Sequence, residues 1–98
     1  MDRLEAERLV LSALNANYSD LGDTLVLLDG ETIERPYGWV FFCQSKTYVE
    51  TGASSWMLAG NGPVVVLRRD GSIHMLGSAR PAEQEIAEFE REHRLIGS

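Results

Sequence analysis

The sequence predicts an α+β fold in which an antiparallel sheet of about four strands packs against N- and C-terminal helices. Three observations indicate this: helical apolar periodicity is confined to the two ends, extended apolar runs fill the middle, and the chain has 98 residues. A chain of this length buries roughly two-thirds of the surface that its unfolded form exposes, which suffices for one layered core. We therefore expect residues 1–98 to form a single domain.

The first element is a predicted amphipathic helix, for which Asp2 is a candidate N-terminal cap. At 100° per residue, large apolar side chains share one stripe about 120° wide: Leu4, Val10, Leu11, Leu14 and Tyr18. Glu7 falls within this stripe and is spaced to pair with Arg3. Residues 15–22 are rich in turn formers, which predicts the end of the helix there.

Extended segments follow this helix. Residues 24–28 lack a helical period, Asp29 and Gly30 interrupt them as a turn or a bulge, and alternation resumes over residues 32–35. Residues 39–43 are apolar on both faces, which predicts a central strand. Such a strand needs cover on both sides, or else it exposes an aromatic surface to a partner.

The second half of the chain predicts a loop with a short helical turn over residues 46–58, then a hairpin and a helix. The hairpin joins residues 64–67 to residues 72–76 through an Arg-Asp-Gly turn. The final helix starts at Pro81. Its predicted apolar stripe is Ala82, Ile86, Phe89, His93 and Ile96.

Charge and composition narrow the classes of partner. The 9 basic and 15 acidic residues give a net charge of −6, so nothing favours binding to a nucleic-acid backbone, and a basic partner fits better. The sequence shows neither a signal peptide nor an apolar run of the roughly 20 residues that span a bilayer. With a single cysteine, these features predict a cytoplasmic protein that does not interact with membranes.

Few side chains in the sequence suggest catalysis or metal binding. Cys43 with His74 or His93 is the one possible thiol–imidazole pair, but Cys43 lies within an apolar strand, which favours a packing role. Dispersed histidines and one cysteine predict no zinc site. The loop at residues 60–63 lacks the lysine and the following helix of a phosphate-binding loop. We expect no enzyme activity, no metal and no cofactor.

The terminal helix carries the strongest candidate surface. It bears five glutamates, at positions 83, 85, 88, 90 and 92, which form either a solvated face or a surface that docks a basic protein. Trp56, in an irregular stretch, is a candidate interface anchor, and Asn61 lies in a turn that exposes its backbone. The candidate partner-binding residues are thus Trp56, Asn61, Glu85, Glu88 and Glu92.

The order of motifs from position 37 to position 90 resembles the immunity protein 35 family, which includes the YrhB-type small bacterial proteins. The resemblance rests on a Gly-Trp pair before an aromatic strand, a Gly-Asn-Gly-Pro turn before an aliphatic strand, and a Glu-rich terminal helix. The matching positions that we expect to define the fold are Gly38, Trp39, Gly60, Gly62 and Pro63.

This resemblance implies a cytoplasmic bacterial immunity protein of a polymorphic toxin system that binds a cognate toxin and blocks its activity. From the net charge of −6, the Glu-rich terminal helix and Trp56, we expect it to occlude the active site or substrate channel of the toxin. The alternative that the resemblance implies is a small heat-stable, chaperone-like holdase. As partners we expect the cognate toxin, no nucleic acid and no membrane, with the protein a monomer or a small homo-oligomer.

Overall fold

The structure is a computed structural model that describes residues 1–17, 24–53 and 62–95. Its helices are α1 (Arg3–Asn17), α2 (Lys46–Thr51) and α3 (Ala82–Glu92). Its strands are β1 (Leu25–Leu27), β2 (Ile33–Arg35), β3 (Gly38–Phe41), β4 (Cys43–Ser45), β5 (Val64–Leu67) and β6 (Ile73–Met75). The predicted α+β class with terminal helices is confirmed. The interruption after β1 is a short 3-10 helix, Asp29–Glu31.

The strands form two antiparallel sheets. The larger sheet has the order β2-β3-β5-β6, and β1 pairs with β4 in a separate two-stranded sheet. The single strand predicted over residues 39–43 is wrong in its extent, because the chain changes sheets at Phe42: Cys43 belongs to β4 and pairs with Leu27. The central position of β3, between β2 and β5, is confirmed.

The larger sheet is covered on both faces. On one face, α1 contributes to a buried cluster formed by Ala6, Val10, Trp39, Phe41, Val64 and Val66. On the other face, α3 contributes to a second cluster formed by Tyr37, Val40, Val65, Leu67, Ile86, Phe89 and Leu95. Burial of both faces explains why β3 and β5 are apolar at every position apart from Gly38. Of the two predicted alternatives, cover on both sides or an exposed aromatic surface, the structure has the first.

Helix α1 begins as predicted. The backbone N–H of Glu5 donates to Asp2 Oδ1 at 2.9 Å, and Arg3 Nε lies 3.0 Å from Glu7 Oε2. The predicted stripe is wrong at Leu4, which is 55% exposed. Ala6, which the stripe omitted, is fully buried, because a small side chain lets the helix approach the sheet closely. Tyr18 lies outside the described residues.

Helix α1 ends at Asn17, within the predicted range of residues 15–22. Asn15 lies in the last turn, where its side-chain amide binds the start of β1. Its Oδ1 accepts hydrogen bonds from Leu25 N and Thr24 Oγ1, both at 2.8 Å, and its Nδ2 donates to Leu25 O at 3.3 Å. A residue that favours turns is thus used here to attach the small sheet to α1.

Two glycines of the motif allow backbone segments to approach closely. A Cβ on Gly38, whose φ is +155°, would lie 2.0 Å from Val66 O, so β3 and β5 cannot keep their separation with any other residue there. A Cβ on Gly62 would lie 2.3 Å from Leu76 O. Gly62 serves by close approach and not by positive φ, since the described glycines with positive φ are Gly38, Gly52 and Gly71.

The other predicted positions and elements lie partly within the described residues. Trp39 is 1% exposed and Pro63 is buried before β5, whereas Gly60 lies outside the described residues. The hairpin of β5 and β6 is confirmed, with antiparallel pairing of Val65 and His74 at its centre. The predicted helical turn after residue 46 is confirmed as α2, and residues 54–58 lie outside the described part.

Candidate functional site

Helix α3 positions the carboxylates that the sequence analysis selected. Its first turn starts at Pro81, whose carbonyl accepts hydrogen bonds from Gln84 N at 2.9 Å and Glu85 N at 3.1 Å. Ile86 and Phe89 are buried against the sheet. This anchoring directs the glutamates of α3 along two flanks of the helix, one towards the β6 edge and one towards the β2 edge.

Glu85 lies on the β6 flank, but it faces inward. The residue is 9% exposed, and its Oε1 lies 2.8 Å from Arg80 Nη2 and 3.0 Å from Arg80 Nε. Two hydrogen bonds from one guanidinium compensate for the burial of the carboxylate. The pair holds the segment between β6 and α3 against the helix, so most of Glu85 is inaccessible to a partner. Sequence reasoning missed Arg80, although its position directly before Pro81 places it within reach of the first helical turn.

Glu88 and Glu92 are the carboxylates of this flank that reach solvent. The side chain of Glu88 is 32% exposed and forms an ion pair with Arg91, with Arg80 Nη1 further away at 3.9 Å. Glu92 is exposed. These side chains border a groove of about 200 Å³, which is lined by Met75, Leu76, Gly77, Arg80, Glu85, Glu88, Phe89 and Glu92. Its volume is below the range of about 300–1,000 Å³ that is typical of small-molecule sites. It has the size for a protruding side chain.

The β2 flank of α3 has a structural function at Glu90. The Tyr37 hydroxyl donates a hydrogen bond to Glu90 Oε2 at 2.7 Å, and Arg35 Nε lies 3.5 Å from the same oxygen. Burial, followed by the hydrogen bond to the Glu90 carboxylate, raises the pKa of Tyr37 well above its usual value of 10.0. Glu90 therefore fixes α3 against the turn after β2.

The two histidines lie together beside α3. The ring of His74 is 5.1 Å from that of Phe89 and 5.3 Å from that of His93, and His93 stacks 4.1 Å from Phe89. His74 thus faces α3, on the face of the sheet opposite Ile73. Cys43 is buried in β4, consistent with its expected packing role.

A chain of hydrogen bonds joins Asp70, Ser72 and His74. Ser72 Oγ lies 2.7 Å from Asp70 Oδ1 and 3.0 Å from His74 Nε2. The backbone and side-chain donors of Ser72 hold the pKa of Asp70 below its usual value. The carboxylate contacts the hydroxyl, whereas in a catalytic triad it orients the imidazole. This arrangement therefore orders the hairpin turn and does not activate the serine.

The remaining candidates give a mixed result. Trp56 and Asn61 lie outside the described residues, so the structure does not relate them to the acidic groove. Within residues 1–17, 24–53 and 62–95, no group of three or more histidine, cysteine, aspartate or glutamate side chains is placed to hold a metal ion. In the same ranges, no helix has the length and apolar character needed to cross a membrane.

The sequence is similar to one known protein family and to one of its relatives. The model of a protein family described as immunity protein 35 matches residues 5–90. The uncharacterized protein YrhB of Escherichia coli (strain K12) is 35% identical over 60 residues, which cover 61% of this chain and 64% of YrhB. The match thus spans somewhat less than two thirds of that relative. No solved structure matches.

Proposed function

The chain belongs to the immunity protein 35 family, and from this premise we propose that it binds a cognate toxin protein and neutralises it. In this proposal the protein covers the active site or the substrate channel of the toxin and carries out no turnover of its own. It acts in the bacterial cytoplasm as part of a polymorphic toxin system, as a monomer or a small homo-oligomer.

Apart from family membership, the main support for this proposal is the acidic groove beside α3. Glu88 and Glu92 border it at the surface, and a net charge of −6 gives the whole chain a field that attracts a basic protein. Complementary fields increase the association rate and orient the partners before contact. Enzymes that act on nucleic acids or on other anionic substrates carry basic sites, which an acidic inhibitor is suited to cover.

The candidate contact residues divide by role within this proposal. Glu88 and Glu92 contact the toxin directly, whereas Glu85 supports the groove by holding Arg80. Trp56 is proposed as an aromatic anchor, because aromatic side chains dominate the binding energy of many protein interfaces. Asn61 is proposed as a backbone contact. We propose no cofactor and no metal for this activity.

The test begins with the gene that neighbours the coding sequence of this protein. Its product is expressed in a bacterial host with and without this protein, and growth and co-purification are measured. We expect growth arrest by the neighbour alone, rescue on co-expression, and a stable complex. A neighbour that does not impair growth and does not bind would overturn the proposal.

The holdase alternative gives a different result in a parallel assay. A holdase suppresses the heat-induced aggregation of unrelated client proteins, and it does so without one preferred partner. An immunity protein binds one partner tightly and leaves the aggregation of those clients unchanged. Suppression of aggregation for several unrelated clients, together with no rescue from the neighbouring toxin, would favour the holdase.

A further inference from the structure

We propose that the outer edge of β6 binds an extended segment of the partner protein by strand addition, with a basic side chain of that segment in the acidic groove beside α3. This inference deepens the proposed function and rests on it for the biological source of the segment. It specifies the chemistry of the segment: residues that point towards α3 are basic, and the alternate residues are apolar.

The two edges of the larger sheet differ in how they are protected. At the β2 edge, Glu34 and Arg35 are exposed, Arg68 pairs with Glu34 at 3.4 Å, and Pro36 follows the strand directly. Charged side chains and proline are the means by which proteins prevent strand pairing at an edge. The β6 strand consists of Ile73, His74 and Met75, with neither proline nor a residue of fixed charge, and Met75 is 61% exposed. Because β6 lacks the charged side chains and the proline that protect β2, it is the edge of the larger sheet that can accept another strand.

Hydrogen bonding shows which backbone groups of β6 point outward. Leu67 N donates to Ser72 O at 3.0 Å and Leu76 N donates to Pro63 O at 2.9 Å, so Ser72 and Leu76 face β5. In an antiparallel ladder the direction alternates, so the backbone groups of Ile73 and Met75 face away from β5. Among the described residues no strand pairs with that side of β6. These groups form the hydrogen-bonding row that an added strand requires.

Side-chain alternation sets the pattern that the bound segment must have. His74 packs against Phe89 on the α3 face, whereas Ile73 packs against the buried cluster on the α1 face. A strand next to β6 therefore places every second side chain on the α3 face, beside the groove that Glu88 and Glu92 border. Its other side chains lie on the opposite, α1 face of the sheet, where Ile73 packs. Lysine or arginine suits the first position, and an aliphatic residue suits the second.

The peptide test uses a short capped peptide in which lysine alternates with valine, and a matched peptide in which glutamate replaces lysine. Binding to the full chain is measured by amide chemical shifts in NMR and by fluorescence polarisation. We expect the lysine peptide to bind at least about tenfold more tightly than the glutamate peptide. The amides of Ile73 and Met75 should show the largest shifts.

Variants separate the backbone contribution from the charge contribution. Met75→Pro removes an outward N–H while leaving the bonds to β5, since proline is tolerated on an edge where its nitrogen faces solvent. It should weaken peptide binding about tenfold or more, whereas Met75→Val, which keeps the N–H, should bind within about threefold of the wild type. Glu92→Lys should also weaken binding, and Glu83→Lys, on the β2 flank of the same helix, should not. Glu92→Lys keeps the test decisive if Met75→Pro unfolds the chain.

The outcomes distinguish this inference from the proposed function. The proposal of strand addition at β6 is wrong if the lysine peptide fails to bind the wild type. It is also wrong if the peptide binds the folded Met75→Pro variant and the Glu92→Lys variant as tightly as it binds the wild type. Neutralisation of the toxin through another surface is reported separately by the growth assay. If the peptide binds as expected but no neighbouring toxin is neutralised, the edge site stands and the immunity function fails.

Discussion

Substitution of Gly38 by alanine should destabilise the protein severely. The added Cβ would lie 2.0 Å from Val66 O and 3.0 Å from Val66 C, both backbone atoms of the neighbouring central strand, so neither can rotate away. An unfavourable φ costs roughly 1–3 kcal/mol and overpacking a further 1–3 kcal/mol. We therefore expect a loss of about 4 kcal/mol in the free energy of unfolding, a large part of the roughly 5–15 kcal/mol that a domain has.

This loss is measured by urea unfolding, with far-ultraviolet circular dichroism and tryptophan fluorescence as parallel probes. At about 4–8 °C per kcal/mol for a domain of this size, Tm should fall by roughly 16–32 °C. Gly30→Ala is the matched control, because none of the described atoms lies within 4 Å of its added Cβ, and it should change stability by less than about 0.5 kcal/mol. A Gly38→Ala variant within about 1 kcal/mol of the wild type would refute the close approach of β3 and β5.

Two further predictions concern the contacts that fix α3. Tyr37→Phe removes the hydrogen bond to Glu90 and should lower the free energy of unfolding by about 1.5–3 kcal/mol at neutral pH, measured by urea unfolding. Folding raises the pKa of Tyr37 above 10.0, so the contribution of Tyr37 to the free energy of unfolding is complete below pH 10 and is lost as the pH rises further. A Tyr37→Phe variant that loses as much stability above pH 10 as the wild type does would contradict this. Arg80→Met leaves the Glu85 carboxylate buried without its partner and should lower the free energy of unfolding by about 1–2 kcal/mol, measured by thermal unfolding. This loss is smaller than that for breaking a fully buried ion pair, because Arg80 is 49% exposed. Arg69→Met, whose side chain is 70% exposed, should change stability by less than about 0.5 kcal/mol, and equal losses in the two variants would refute a supporting role for Arg80.

Periodicity and turn chemistry predicted most of the fold. The terminal helices, the central apolar strand and the β5–β6 hairpin follow from side-chain spacing, because burial on one or both faces leaves a direct pattern in the sequence. The exchange of sheets at Phe42 leaves no such pattern, since apolar residues continue without interruption from Trp39 in β3 to Cys43, the first residue of β4. The local propensity of Asn15 predicts a turn, whereas its hydrogen bonds to Thr24 and Leu25 depend on tertiary structure, which local propensity does not describe.

The candidate site was predictable in composition but not in orientation. Counting glutamates on α3 located the acidic helix, yet the count could not separate exposed Glu92 from Glu85, which is 9% exposed, or from Glu90, which binds Tyr37. These differences depend on which flank of α3 meets Arg80 and which meets the turn after β2. Such partners come from distant parts of the chain, so helical periodicity alone does not identify them.

Neutralisation of a toxin through the acidic flank of α3 is tested most directly by the affinity of this protein for the product of its neighbouring gene, measured by isothermal titration calorimetry. We expect tight, saturable binding that falls by about 100-fold or more in a variant with Glu88→Lys and Glu92→Lys together. A control with Glu31→Lys and Glu50→Lys, which changes the net charge equally at exposed sites elsewhere, should bind within about threefold of the wild type. No saturable binding would contradict the immunity function. Equal binding by the two charge-reversed variants would contradict the assignment of the contact surface to α3.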